Sequence, residues 1–279
     1  TGNGNGLWID GNSLNDTTVN SIGNIGIQIY GVDGAYIANN NVGNIVTPVS
    51  GGSLPTGIAI ASQTINTTVT NNTIGPMNFT TASSGPVGIS ISTGNANSNL
   101  IISSNTISGI KINQPVVLNG ITISGQTGNV LITKNKIYDI KNTDTLSAST
   151  YGAYAISLGS SLTAANITLS NNFIWDVAAN GRASTSFHNG YGVYISGGGG
   201  YNLYHNTISL TTNQRLVTGL PACINISSSV TTPASLDIRN NIFANFQTIG
   251  TERYAIICNA ANTVFAYIDN NDYYTTGPN

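Results

Sequence analysis

The stretch NVLITKNKIYDI, residues 129–140, decides how this chain is read. Reduced to chemistry it is apolar, any, apolar, two of any kind, Asn, any, apolar, two of any kind, apolar. The same template recurs with its Asn at Asn12, Asn40, Asn72, Asn105, Asn135, Asn172, Asn206, Asn241 and Asn271, at gaps of 28, 32, 33, 30, 37, 34, 35 and 30 residues. Three positions before each Asn stands Ile9, Ile37, Val69, Ile102, Ile132, Leu169, Leu203, Ile238 or Ile268. Two positions after it stands Leu14, Val42, Ile74, Ile107, Ile137, Ile174, Ile208, Phe243 or Tyr273. An apolar frame kept through nine passes is an internal repeat, and the period sets the architecture.

Ahead of most templates lies a second alternation opened by a small residue: GIAI at 57–60, GISI at 88–91, GITI at 120–123 and GVYI at 192–195. Alternation at period two specifies strands. Asn, Thr, Ser and Gly are poor helix formers, and no window sustains a helical period. Each repeat therefore reads as a strand, a loop, a strand ending at the Asn, a sharp corner and a short third strand. Stacked in register, such units make an all-β, right-handed parallel β-helix of about eight to nine coils, with one Asn ladder at a corner. Coils about 4.8 Å apart bring equivalent side chains into columns, so eight of them span roughly 40 Å. The Asn is expected to take the left-handed conformation of the corner and to pass amide hydrogen bonds from coil to coil.

Over essentially its whole length the sequence resembles the right-handed parallel β-helix repeat superfamily of pectate-lyase-like folds. It is most similar in flavour to Asn-rich secreted and surface-anchored β-helix proteins of Gram-negative bacteria, particularly of Bacteroidetes type. The resemblance implies a fold and leaves the activity open, since one architecture carries many functions. NTD at 142–144 echoes polygalacturonases and WID at 8–10 echoes the WIDH of pectate lyases. The Asp-Asp, Gly-His-Gly and Arg-Ile-Lys segments of the former are absent, and Gly11 stands where the latter have His.

Composition narrows the partners. Charged residues make up 6% of the chain and the net charge is −2, with eight scattered cations. A phosphate backbone calls for clustered Lys and Arg, so nucleic acid is disfavoured. No apolar run reaches the length of a membrane span. An Asn- and Thr-rich, Lys-poor chain reads as secreted or displayed on the outer cell surface. The chain opens mid-coil on LWIDGNSL at 7–14 and closes on YIDNNDYY at 267–274, which reads as a single domain cut from a larger protein. Cys223 and Cys258 fall three positions out of register in adjacent coils, too far for a disulfide, and are expected to be buried thiols.

Surplus residues collect after the third strand, at 46–56, 78–87, 111–119, 142–150, 178–191, 211–221 and 247–253, and so project from one edge. Insertions confined to one edge mark a working face. Beside it the register stacks Tyr138 on Trp175 and Asp139 on Asp176. The longest insertion adds Arg182, His188 and Tyr191. Aromatic rings with carboxylates suit a sugar, whose apolar face packs on rings while hydroxyls donate to oxygens. Two adjacent carboxylates would raise one pKa, serve as a catalytic pair or hold Ca²⁺; no other cofactor is indicated. Arg239 and Asp269, on neighbouring coils, are expected to form a ladder salt bridge, and neither His188 nor His205 has an acidic partner in register. The leading functional reading is a scaffold or adhesin-like module of a larger bacterial surface protein that contacts polysaccharide along the insertion edge. Its alternatives are a polysaccharide lyase or glycosidase acting through Asp139 and Asp176, and a trimeric spike.

Overall fold

The structure, a computed structural model, describes residues 4–18, 21–45, 54–79, 85–145, 152–181, 188–250 and 252–276. These residues wind into a parallel β-solenoid of about eight turns. Sheet 1 carries the Gly-Ile-x-Ile strands, eight of them from Ile25–Ile29 to Tyr254–Cys258. Sheet 2 carries the nine strands that approach the Asn, from Trp8–Asp10 to Phe265–Asp269. Sheet 3, ten-stranded, holds those that leave it, from Ser13–Leu14 to Asp272–Thr275. Among the described residues helix is confined to short turns such as the 3₁₀ turn Asn262–Val264.

Every repeat position predicted to face inward does so through the middle coils. Ile37, Val69, Ile102, Ile132, Leu169, Leu203 and Ile238 form one buried column, and Val42 through Phe243 form the next. The small residue that opens each sheet 1 strand has a packing reason. A Cβ on Gly57 would lie 2.6 Å from Ile74 Cγ2, and one on Gly192 would lie 2.4 Å from Ile208 Cγ2. The missing side chain is what lets the sheet 3 isoleucines reach across the narrow core.

The corner amides form a continuous column. Each Nδ2 donates to Oδ1 of the next ladder Asn at 2.9–3.0 Å, in eight unbroken steps from Asn12 to Asn271. The backbone N–H of each Asn donates to that same oxygen at 2.9–3.1 Å. The second amide proton turns back to a carbonyl of the preceding coil, as Asn135 Nδ2 does to Ile102 O at 2.9 Å. Both donors and both lone pairs of a buried amide are thus used.

One expectation is corrected. The left-handed backbone falls on the residue before each ladder Asn, not on the Asn itself: Gly11, Asn39, Asn71, Ser104, Lys134, Asn171, His205, Asn240 and Asn270 all have φ between 53° and 68°. The turn is made one residue early, which leaves the ladder Asn outside the left-handed region with its amide bonded to the next coil. A second left-handed corner precedes sheet 2, at Asn66, Asn99, Asn129 and Asn166.

Two further expectations change. Cys258 pairs in register with Ile226, three residues from Cys223, so the absence of a disulfide holds. Cys223 is buried as expected, but Cys258 is exposed. Arg239 and Asp269 are in register, yet Arg239 chelates Asp237 two residues back on its own outward face, with both bonds at 2.7 Å. Its guanidinium lies 4.8 Å from the Tyr267 ring centroid and 5.5 Å from that of Tyr204. A bidentate bond available along one strand wins over a monodentate one across the coil spacing.

The ladder predicts a graded stability map. Replacing Asn135 by Ala takes the acceptor from one proton of the buried Asn105 amide and from the Asn105 backbone N–H, and removes the amide donor to the Ile102 carbonyl. At about 1–3 kcal/mol per orphaned buried group, the variant is expected to lose roughly 3 kcal/mol or more in chemical denaturation. Exposed Asn12 should lose under about 1 kcal/mol in the same measurement.

Candidate functional site

The outer face of sheet 3, beside the insertion edge, gathers most of the chemistry. Tyr138 and Trp175 are paired in register with ring centroids 4.1 Å apart and planes 7° from parallel. Phe173, two residues before Trp175 and itself exposed, leans on the indole at 4.5 Å. The same register stacks Asp139 on Asp176, both left-handed with φ 55° and 57°. That backbone turns both carboxylates toward the insertion edge.

The carboxylates do not face each other bare. Lys141 Nζ lies 2.9 Å from Asp139 Oδ1 and 2.8 Å from Asp176 Oδ2, between the two coils. Lys111 Nζ reaches Asp139 Oδ2 at 2.7 Å from the coil before, and the Thr212 hydroxyl bonds Asp176 Oδ1 from the coil after. The result is a zipper of alternating charge across four coils: Lys111, Asp139, Lys141, Asp176, Thr212. Partial burial pushes the Asp139 carboxyl up, but hydrogen bonds and charge from Lys111 and Lys141 outweigh it and hold it below the usual carboxylate value. Partial burial likewise pulls Lys141 down, and Asp176 and Asp139 more than reverse it. The expectation that repulsion raises one carboxyl is therefore overturned for Asp139, because a lysine occupies the space between the pair.

The same arrangement fits Ca²⁺ poorly. That ion takes roughly six to eight oxygen ligands. Here two carboxylates are already neutralised by two ammonium groups. Among the described residues no three His, Cys, Asp or Glu side chains converge.

Next to the zipper a cleft of about 220 Å3 opens between three insertions, lined by residues 141–145, 178–180, 212, 213 and 215. Arg215 Nε donates to Asn180 Oδ1 at 2.7 Å, tying two of the insertions together. Asn142 ends its strand and is buried, with Nδ2 bonded to Gln114 O and Val116 O. The polygalacturonase-like Asn thus pins a neighbouring insertion, and Asp144 beside it is buried. A second set of buried amides supports the edge. Gln214 accepts from Gly190 N at 2.5 Å, donates to Asn189 Oδ1 at 3.0 Å, and its own N–H donates to Gln247 Oε1 at 3.0 Å.

The remaining sequence candidates separate. Tyr191 is fully buried in a cluster with Tyr154 and Tyr194, where burial pushes its hydroxyl far up, so it cannot meet a ligand on the surface. The stretch that appeared to carry it outward returns it to sheet 1, as part of the strand Gly190–Ile195. His188 is half-buried at the foot of the same insertion and accepts from Gly181 N through its carbonyl at 3.1 Å. His205 is an exposed corner residue. Arg182 lies outside the described residues. Sequence reasoning missed Lys111, Thr212, Asn180 and Arg215. The first two were within reach, for Lys111, Lys141 and Thr212 each stand six residues after a ladder Asn and so share one column.

No family model matches the chain, and no curated protein or solved structure is detectably similar to it. The fold therefore rests on the repeat and the coordinates, and the site on its own geometry.

The zipper has a pH signature. Asp139 titrates lower in the folded chain than in the unfolded one, so its contribution is present above the unfolded value of about 3.9 and is lost as pH falls through the folded value. Asp139→Asn, which suits a left-handed position, is expected to cost about 1 kcal/mol at pH 7. Thermal unfolding of variant and parent should converge below about pH 3.

Proposed function

We propose that this chain is a non-catalytic β-solenoid module, secreted or displayed at the outer surface of a bacterial cell as part of a larger protein. In this reading it belongs to the pectate-lyase-like superfamily, wound in the right-handed sense usual for parallel crossovers. It holds polysaccharide along its insertion edge. The observation that carries the reading is the ridge of Tyr138 and Trp175 beside the zipper and the cleft. Rings offer an apolar body to a sugar face, and the adjacent carboxylates, ammonium groups and Asn amides offer hydroxyl partners.

Support for binding over catalysis comes from the carboxylates. A glycosidase acid is a carboxyl kept protonated near neutral pH. Asp139 is driven the other way by two lysines.

The test pairs a binding assay with a product assay across neutral and acidic polysaccharides. The chain is expected to retain at least one polysaccharide while releasing neither reducing ends nor unsaturated product. Trp175→Ala should weaken retention about tenfold, a loss of roughly 1.4 kcal/mol. Product formation abolished by Asp139→Asn or Asp176→Asn would instead establish the lyase or glycosidase alternative.

A further inference from the structure

The ring pair is a ridge, and its two outer faces differ. Tyr138 and Trp175 cover each other's inner faces at 4.1 Å, so no sugar enters between them. The indole is contacted again by Phe173 at 4.5 Å, whereas Tyr138 has no second ring partner among the described residues. Along the same outward column the residue before Tyr138 is Ser108, and the residue after Trp175 is Ser209. Tyr138 therefore presents an open ring face over a small neighbour.

That face looks onto a seat. Its floor is Ser108 and Gly109, where sheet 3 carries almost no side chain. Across it stands exposed Pro76: a Cβ built on Gly109 would lie 3.2 Å from Pro76 Cβ and 3.9 Å from Asp139 Oδ2. Tyr138 and the coil of Pro76 are two coil spacings apart, about 9.6 Å. That leaves room for one ring stacked on the tyrosine. At the rim Lys111 Nζ and Asp139 Oδ2 sit side by side at 2.7 Å, a donor and an acceptor placed for neighbouring hydroxyls.

We infer that this seat binds one pyranose ring of a neutral glycan, stacked on the Tyr138 face over Ser108 and Gly109 and hydrogen-bonded by Lys111 and Asp139. The inference rests on the polysaccharide reading above and adds to it a position and a ligand charge. Neutrality follows from the charges in place. Lys111 and Lys141 are matched by Asp139 and Asp176, and the adjoining cleft is lined by Asp144 as well as Arg215. Exposed Lys136, two residues before Tyr138 on the same outward face, is unmatched by any carboxylate among the described ion pairs, so a polyuronate gains at most one exposed contact over a neutral chain and must compete with carboxylates already in place.

The test uses the whole chain against immobilised neutral glucans, mannans, galactans and xylans, with polyuronates alongside. Ser108→Tyr would fill the seat with a ring of the protein's own, and Ser209→Tyr would do the same on the Trp175 side. Tyr138→Leu removes the ring and keeps an outward apolar side chain. Thermal unfolding of all three reports whether the fold is kept. Expected are retention of a neutral glycan, less than about a twofold change between low and high salt, at least a tenfold loss in Ser108→Tyr and in Tyr138→Leu, and parental binding in Ser209→Tyr. Undiminished binding by folded Ser108→Tyr, or preference for polyuronates, overturns the inference. Should Ser209→Tyr or Arg215→Ala lose binding while Ser108→Tyr keeps it, the seat is wrong and the polysaccharide reading stands. If the parent retains no glycan at all, both fail together, and if Ser108→Tyr does not fold, Tyr138→Leu decides.

Discussion

A primary amide stacked at the coil spacing is the constraint from which the rest of this molecule follows. Only Asn satisfies it. Asp has the acceptors but no donor, and Gln carries one methylene too many to keep the same reach. Because each Oδ1 also accepts the backbone N–H of the preceding ladder Asn, the side chain fixes the backbone register, not merely the corner. The columns of sheets 2 and 3 are then determined by counting from the ladder. Repeats of 28 to 37 residues coexist in one solenoid because the surplus is discharged into the connections on either side of sheet 1, most of it between sheet 3 and sheet 1. Lengthening such a connection costs little, since closure entropy grows only with the logarithm of its length.

Register was the legible part. The inward columns, the stacking of Tyr138 on Trp175 and of Asp139 on Asp176, and the offset of the two cysteines all come from counting residues, and the coordinates keep them. The corners were legible in composition. Five of the nine left-handed residues before the ladder are Asn and one is Gly, the types that tolerate this backbone most cheaply. Less accessible was which outward groups choose each other. Arg239 was expected to pair with Asp269 on the neighbouring coil and instead took Asp237 on its own strand. Lys111 looked like the start of an insertion, yet it is the sixth residue of the strand Thr106–Ile112. Insertions hide most, because their residues have no column to count along. That is why Arg215 went unnoticed, whereas Tyr191, which looked like a loop residue, is in register with Tyr154 in sheet 1 and sits in a buried tyrosine cluster.

A solenoid of this kind separates folding from chemistry unusually cleanly. Inward positions are held to Ile, Leu and Val by the narrow core, and the ladder is held to Asn. Outward positions on sheet 3 answer to neither, since each coil contacts only its neighbours and the face points to solvent. Along the outward column the chain places Ser108, then Tyr138 and Trp175, then Ser209 and Ala244, and exposed Tyr274 at the last coil. Small residues evidently suffice for the fold at this position. The stacked rings of Tyr138 and Trp175 are therefore additions to a working scaffold, and they fall next to the zipper and the cleft.

The backbone under the carboxylates argues the same way. Gly109, Asp139 and Asp176 occupy equivalent positions in successive coils and all have positive φ, between 55° and 66°. Glycine meets that conformation without steric cost, whereas a residue with a Cβ carries a penalty of up to about 1–2 kcal/mol, lessened for Asp by local hydrogen bonding. A chain with only ten acidic residues spends two of them here, on the strained side of the Ramachandran map, and sets two of its eight cations against them. Exposed ion pairs return little stability, so the zipper is a costly way to hold coils that the ladder and core already hold. Strain retained where a cheaper residue would serve is a mark of a site rather than of a scaffold. It is the acids and lysines together, charge-cancelled and fixed beside an open aromatic face, that set this stretch of sheet 3 apart from the rest of the solenoid and support the binding proposal.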